Sequence, residues 1–284
     1  AHGARAAGVT PSPGGTTPPR THWPAVLAAA LGGVAVGMNV GKVPLALSTL
    51  RDELGLSLVQ AGWVSSMLTT LAIVAALAFG LAAGRIGALR MVLGGLAVSA
   101  VASAIGALIP SGAGPGFTAL LATRFFEGAG FLAVSVAGPA LVSAAAAPAD
   151  RRFALSVWAA YMPAGAGLAM ALSPLLLPTL GWRGLWAVTA AMLLLAAALA
   201  WAQRRWYAPA GANAPAPPAG GSAGAALTIL RQPLPWLLAL AFGVWAIQHF
   251  ALIVWLPTFL KEQRGLSAGW VAALTGVMLL ACVP

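Results

Sequence analysis

Long apolar runs alternate along the chain with short stretches that hold its arginines, glycines and prolines. The runs cover residues 23–47, 58–83, 91–109, 117–144, 153–177, 185–201 and 235–259, and an eighth begins near 268. A helix needs about 20 apolar residues to cross a bilayer, and these runs have that order of length. Barrel strands would show shorter segments with polar residues at every second position, and these runs show neither. Backbone groups in hydrocarbon must be bonded within their own segment. The pattern therefore predicts an all-α membrane protein. Between the sixth and seventh runs, residues 208–226 are nearly all Ala, Pro, Gly, Asn and Ser. Such a composition buries little and reads as a flexible linker. The expected organisation is a disordered tail at 1–21, a six-helix bundle at 22–206, a linker at 207–232 and the start of a second bundle at 233–284. The eighth run reaches the chain end with no polar flank, which reads as a truncated span.

Composition agrees with burial in lipid. The chain is 60% hydrophobic and 7% charged, against about 25% charged in soluble domains. Its net charge of +10 forms no patch of the kind that binds nucleic acid. The bases sit between apolar runs, as the positive-inside rule requires. With the N-terminus inside, inner segments hold Arg5, Arg20, Arg85, Arg90, Arg151, Arg152, Arg204, Arg205 and Arg231, and outer ones hold Arg51, Arg183, Lys261 and Arg264. Nine against four sets the N-terminus in the cytoplasm of a bacterial cell, with the chain crossing the inner membrane many times. The single cysteine, Cys282, forms no disulfide within one chain. The sequence offers no metal-ligand cluster, no phosphate-cradling loop and no nucleophile with its base. No cofactor, no metal and no enzymatic activity are expected. The expected partners are a small-molecule or ion substrate and the lipid bilayer, with no nucleic acid, and the chain is expected to be a monomer.

The chain also carries an internal echo. Leu50-Arg51-Asp52-Glu53-Leu54-Gly55-Leu56-Ser57 is answered, 210 positions later, by Leu260-Lys261-Glu262-Gln263-Arg264-Gly265-Leu266-Ser267. Ala-Gly-Trp-Val follows both, at Ala61 to Val64 and at Ala268 to Val271. This predicts a parallel repeat of two bundles, with a substrate site between them near the midplane. The same offset sets Asn39 opposite His249.

Three motifs place the chain beside a known family. Gly80, Arg85, Gly87 and Arg90 match the signature loop Gly-x-x-x-Asp-Arg-x-Gly-x-x-Arg/Lys, with Gly84 where the acid belongs. Arg124-Phe125-Phe126-Glu127-Gly128-Ala129-Gly130 resembles the Arg-x-x-x-Gly-x-Gly element of a fourth helix. Gly181-Trp182-Arg183 resembles the start of a sixth helix. Together these resemble the major facilitator superfamily. The resemblance implies a major-facilitator-like bundle, its first six-helix half complete, with helix 7 and part of helix 8. It also implies that the Gly80–Arg90 loop gates and that the Arg124 element couples to an ion. The stretch from Asn39 to Pro44 resembles the cyanate-permease-like branch, which would imply a small anion as substrate.

Ionisable side chains within spans are costly and mark function by default. Lys42 either binds an anion in a cavity or snorkels to the outer interface. Arg124 and Glu127 lie three apart on one helix face, either as a proton-coupling pair or as a structural one. His249 with Gln248 relays protons or bonds substrate, or is a bonded interior histidine. Asn39 adds a polar group to the same central cavity. Gly33, Gly37 and Gly41 give the first helix a smooth face for close packing. The expected function is secondary active transport of a small solute, by alternating access and with proton coupling. A truncated, non-transporting fragment and a membrane-embedded enzyme subunit are the alternatives.

Overall fold

A computed structural model describes residues 20–111, 116–207 and 231–280. Residues 1–19 of the 1–21 tail, nearly all of the 207–232 linker and Cys282 lie outside the described residues. The elements are helices α1 (Trp23–Leu54), α2 (Leu58–Ile86), α3 (Ala88–Ala107), α4 (Gly116–Ala145), α5 (Arg151–Ala159) and α6 (Tyr161–Ala202). A 3-10 turn (Arg204–Tyr207), α7 (Pro233–Glu262) and α8 (Ala268–Leu280) follow. The described residues contain no strand. The protein is thus an all-α, multi-pass membrane protein.

Helix α6 has 42 residues. At about 1.5 Å per residue that is roughly twice a bilayer's hydrocarbon thickness. Gly181 divides it, with φ 62° and ψ −170°, a conformation closed to side chains with a Cβ. The chain reverses there. Before Gly181, Tyr161, Gly165 and Ala166 lie in turn against Gly33, Gly37 and Gly41 of α1, so this arm runs parallel to α1. After it, Arg183 pairs with Glu53 at the far end of α1, while Tyr207 donates to the Ala25 carbonyl at its start. The second arm therefore runs back. α5 with the first arm makes the fifth span and the second arm makes the sixth, as the run pattern predicts.

The face that holds His22 and Ala145 is called proximal here, and the face that holds Glu53 and Arg183 distal. On the proximal face the His22 N–H donates to the Ala145 carbonyl. His22 stacks on Trp206 with ring centroids 3.9 Å apart, and Thr21 Oγ1 donates to Asp150 at 2.5 Å. Burial raises the Tyr207 phenol above its ordinary value, which keeps it a donor to Ala25. These contacts clamp the start of α1 to the ends of α4 and α6. On the distal face α1 continues as helix to Leu54, seven residues past its apolar run, and stops at Gly55 in the left-handed region (φ 63°).

α1 is the buried spine of the bundle, while α2 is the least buried of the first six spans, with Ile73, Val74 and Leu77 exposed. The glycine stripe of α1 explains the tightness of its contact with α6. A Cβ at Gly41 would lie 2.6 Å from the Ala166 Cα, and one at Gly37 would lie 2.9 Å from the Tyr161 carbonyl oxygen.

The repeat is visible as geometry. Gly265 has φ 62°, matching Gly55. The Val271 N–H bonds to the Ser267 carbonyl as the Ala61 N–H bonds to Ser57. By structure, then, Val271 rather than Ala268 stands at the place of Ala61, three residues away from the register of the Ala-Gly-Trp-Val match.

Replacing Gly41 with leucine is expected to destabilise the purified protein by about 1–3 kcal/mol, because the α1–α6 backbones must part. Gly94→Leu, whose Cβ meets open space, is expected to melt within a degree or two of the wild type. Thermal unfolding followed by intrinsic tryptophan fluorescence checks both.

Candidate functional site

Three apolar helices bring their few polar side chains to one place. Asn39 and Lys42 lie one turn apart on α1, Ser99 and Ser103 one turn apart on α3, and Arg124 and Glu127 one turn apart on α4. Glycine lets these helices meet closely. A Cβ at Gly130 would strike Ser99 and the Gly95 carbonyl of α3, and one at Gly128 would strike the Leu68 carbonyl of α2.

Glu127 is the hub. Its Oε1 accepts from Lys42 Nζ at 2.6 Å and from Ser103 Oγ at 2.6 Å. Its Oε2 accepts from Arg124 at 2.5 Å. Ser99 Oγ donates to the Glu127 backbone carbonyl. Lys42 uses all three of its donors, the other two going to Asn39 Oδ1 at 2.8 Å and Ser103 Oγ at 3.0 Å. Its ammonium also lies 4.4 Å from the ring centroid of Trp186, over a face that attracts cations. Arg124 Nε donates to the Val64 carbonyl of α2 at 3.1 Å. Asn39, Lys42 and Glu127 are fully buried and Arg124 is 1% exposed.

Two cations thus surround one carboxylate out of reach of water. With all three groups ionised the cluster carries one positive charge in excess. Two buried donors beside it, Asn39 Nδ2 and Trp186 Nε1, have no partner. A surplus positive charge with spare donors is a place where a proton balance or an anion matters, because an uncompensated buried charge is costly.

The structure separates the sequence candidates into three groups. Asn39, Lys42, Arg124 and Glu127 meet in this cluster. Lys42 does not snorkel, since it is turned inward and fully buried. His249 is buried in α7 and stacks on Trp245 with centroids 4.5 Å apart, while its neighbour Gln248 is exposed on another face. Gly80 lies inside α2, while Arg85 and Arg90 flank the proximal turn between α2 and α3 and Gly87 forms it. Gly87 makes that turn with φ 87°, and both arginines are exposed and, among the described residues, without a carboxylate partner. Sequence reasoning passed over Ser99, Ser103 and Trp186. The two serines are the only hydroxyl residues in the run 91–109 and stand one turn apart, which was the available signal. Trp186 and Trp182 are fully buried, which no local pattern around them signals.

Two cavities lie between the first six spans and α7–α8. One, of about 190 Å³, is lined by Val40 and Pro44 of α1, Ser66 and Thr69 of α2, and Phe250 and Trp255 of α7. The other, of about 180 Å³, opens distally and includes Ser48, Thr49, Ser173, Thr258 and Lys261. Beyond it the distal ends are tied. Arg51 pairs with Glu262 at 3.1 Å, and Lys261 donates to Ser48 at 2.7 Å. Towards the proximal face α7 is exposed from Leu234 to Val244.

The family model of the Major Facilitator Superfamily matches residues 29–284. The chain belongs to the Major Facilitator Superfamily. Among solved structures it resembles the xylose transporter XylE from E. coli in its inward open conformation, with 20% identity and a TM-score of 0.53, covering 62% of this chain and 46% of that one. It also resembles a D-xylose-proton symporter, with 19% identity and a TM-score of 0.60, covering 91% of this chain and 66% of that one. The chain thus spans less than two thirds of either structure's length, and at these identities the likeness is one of fold. No curated protein matches the sequence.

The charge balance makes a direct prediction for stability. Glu127→Gln leaves two buried cations facing each other and is expected to cost about 3–5 kcal/mol. Removing Lys42 as well, as Lys42→Met/Glu127→Gln, leaves the same net charge as the wild type and is expected to recover more than half of that loss. A double-mutant cycle on thermal unfolding reads the difference. Additive losses would contradict the charge account.

Proposed function

We propose that the protein is a secondary active transporter that moves a small solute across the bacterial inner membrane by alternating access, with its N-terminus cytoplasmic and its transport coupled to protons. The observation that carries this reading is the buried Lys42–Glu127–Arg124 cluster. Groups so costly to bury are kept in membranes where ions or substrates are handled. Membership of the Major Facilitator Superfamily supports the same class of activity. Glu127 serves as the proton acceptor, and Lys42 and Arg124 are its counter-charges. Adding or removing one proton changes the balance of helices α1, α3 and α4 together, since all three bond to the same carboxylate.

A small anion as solute is supported by the surplus positive charge and by the free donors of Asn39 and Trp186. The cavities against α7 are lined by hydroxyls and aromatic rings, and the charged groups at the distal one are already bonded to partners. The panel for testing therefore holds small anions and neutral hydroxylated solutes side by side.

Alternating access needs a contact that opens. Arg51–Glu262 and Lys261–Ser48 join α1 to α7 on the distal side, and the first pair is partly exposed. Such a pair is worth at most about 1 kcal/mol, enough to bias a two-state equilibrium without locking it.

In proteoliposomes made with the full-length protein, one solute of the panel is expected to show counterflow, and an imposed pH gradient is expected to drive its accumulation. Absence of counterflow across the whole panel would remove the transport reading. Spin labels at Thr49 and Thr258 should report the distal contact. Arg51→Glu is expected to raise the open population by on the order of fivefold, and adding Glu262→Arg is expected to restore the closed distance.

A further inference from the structure

The signature turn between α2 and α3 has lost its acid, and a groove opens directly beside it. This groove, of about 310 Å³, faces outward between α2, α3 and α4. Its walls include Phe79 and Ile86 of α2, Met91 and Val98 of α3, and Ala133 of α4, with Arg90 at its proximal mouth. Its floor is flat because Gly94, Gly95 and Gly130 carry no side chains. Ile86 is 49% exposed and Val98 41% exposed, so the groove opens to the surroundings of the bundle rather than to its interior. In a membrane protein those surroundings are acyl chains.

Charge tells what sits at the mouth. Arg90, in the first turn of α3, lines it and is exposed, and Arg85, in the last turn of α2, is exposed on the same α2–α3 turn. The chain has five acids in all, and four of them lie elsewhere: Glu127 in the buried cluster, and Asp52, Glu53 and Glu262 at the distal ends. The fifth, Asp150, is proximal and accepts from Thr21. Gly84 stands where the family's loop has its carboxylate, so no acid of this turn is available to either arginine. The two guanidinium groups therefore offer their donors at headgroup depth, next to an apolar trough.

We infer that this groove is a site for one anionic phospholipid, with an acyl chain along the glycine floor and its phosphate held by Arg90 and Arg85. Arginine presents a planar fork that matches phosphate oxygens. Each basic residue near an anionic lipid surface adds appreciably to binding. The lipid supplies the negative charge that Gly84 does not, and so ties the α2–α3 turn to the membrane. This inference needs only the membrane placement of the chain and is independent of whether the protein transports.

The test is native mass spectrometry of the purified full chain, offered equimolar phosphatidylglycerol and phosphatidylcholine with the same acyl chains. The wild type is expected to retain one phosphatidylglycerol in preference to phosphatidylcholine. Arg85→Gln/Arg90→Gln is expected to weaken that retention by on the order of tenfold or more. Gly94→Leu fills the trough while its Cβ meets open space, so it should also displace the lipid with every charge in place. Arg151→Gln/Arg152→Gln, an equal loss of proximal charge away from the groove, should leave retention unchanged. Wild-type retention in either groove variant would overturn the site. So would an equal loss in the Arg151/Arg152 control, which would mean diffuse surface attraction only.

Discussion

A carboxylate shared by two cations inside a membrane protein constrains everything packed around it. Glu127 binds α4 to α1 through Lys42, to α3 through Ser103 and, with Arg124 reaching the Val64 carbonyl, to α2. None of these charges is stable in hydrocarbon alone. The helices must therefore approach closely enough for direct hydrogen bonds, and the glycines at 95, 128 and 130 permit that approach. Sequence features that look unrelated, a serine pair on α3 and small residues on α4, answer to one electrostatic demand.

The same spine helix joins the charge cluster to the distal contact with α7. α1 carries Asn39 and Lys42 in its middle, rests its glycine face on α6, and holds α7 at its distal end through Arg51 and Ser48. Glu127 is thus bonded, through Lys42, to the helix whose far end makes the distal contact. Distally α1 and α7 are tied, while proximally α7 is exposed. The repeat-related turns at Gly55 and Gly265 give both sides of that contact the same local build.

Much of the fold was legible in the sequence because bilayer thickness fixes how long an apolar run must be. The ends of the elements were less so. α1 runs on to Leu54 because Arg51, Asp52 and Glu53 continue the helix beyond hydrocarbon, where apolar content no longer marks it. The hairpin at Gly181 was readable from Gly-Trp-Arg even though the helix is nearly continuous there. Of the site, the Arg124–Glu127 pair follows from helical spacing alone. That Lys42 joins it could not be read, since its partners lie 61 and 85 positions away on other helices. Trp186 belongs to the site only because Gly106 leaves room for its ring, a contact between two spans with no local signal.

In the proposed mechanism Glu127 exchanges the coupling proton, while the balance of charge in the cluster keeps the helices packed around it. Lys42→Met/Glu127→Gln separates these roles, because it removes the carboxylate without changing the net charge. Solute-driven proton movement, followed with a pH dye in proteoliposomes of the full-length protein, tests it most directly. The account predicts that this variant keeps counterflow of the solute but moves no protons with it. Proton movement at the wild-type ratio to solute would place the coupling site elsewhere and contradict the account.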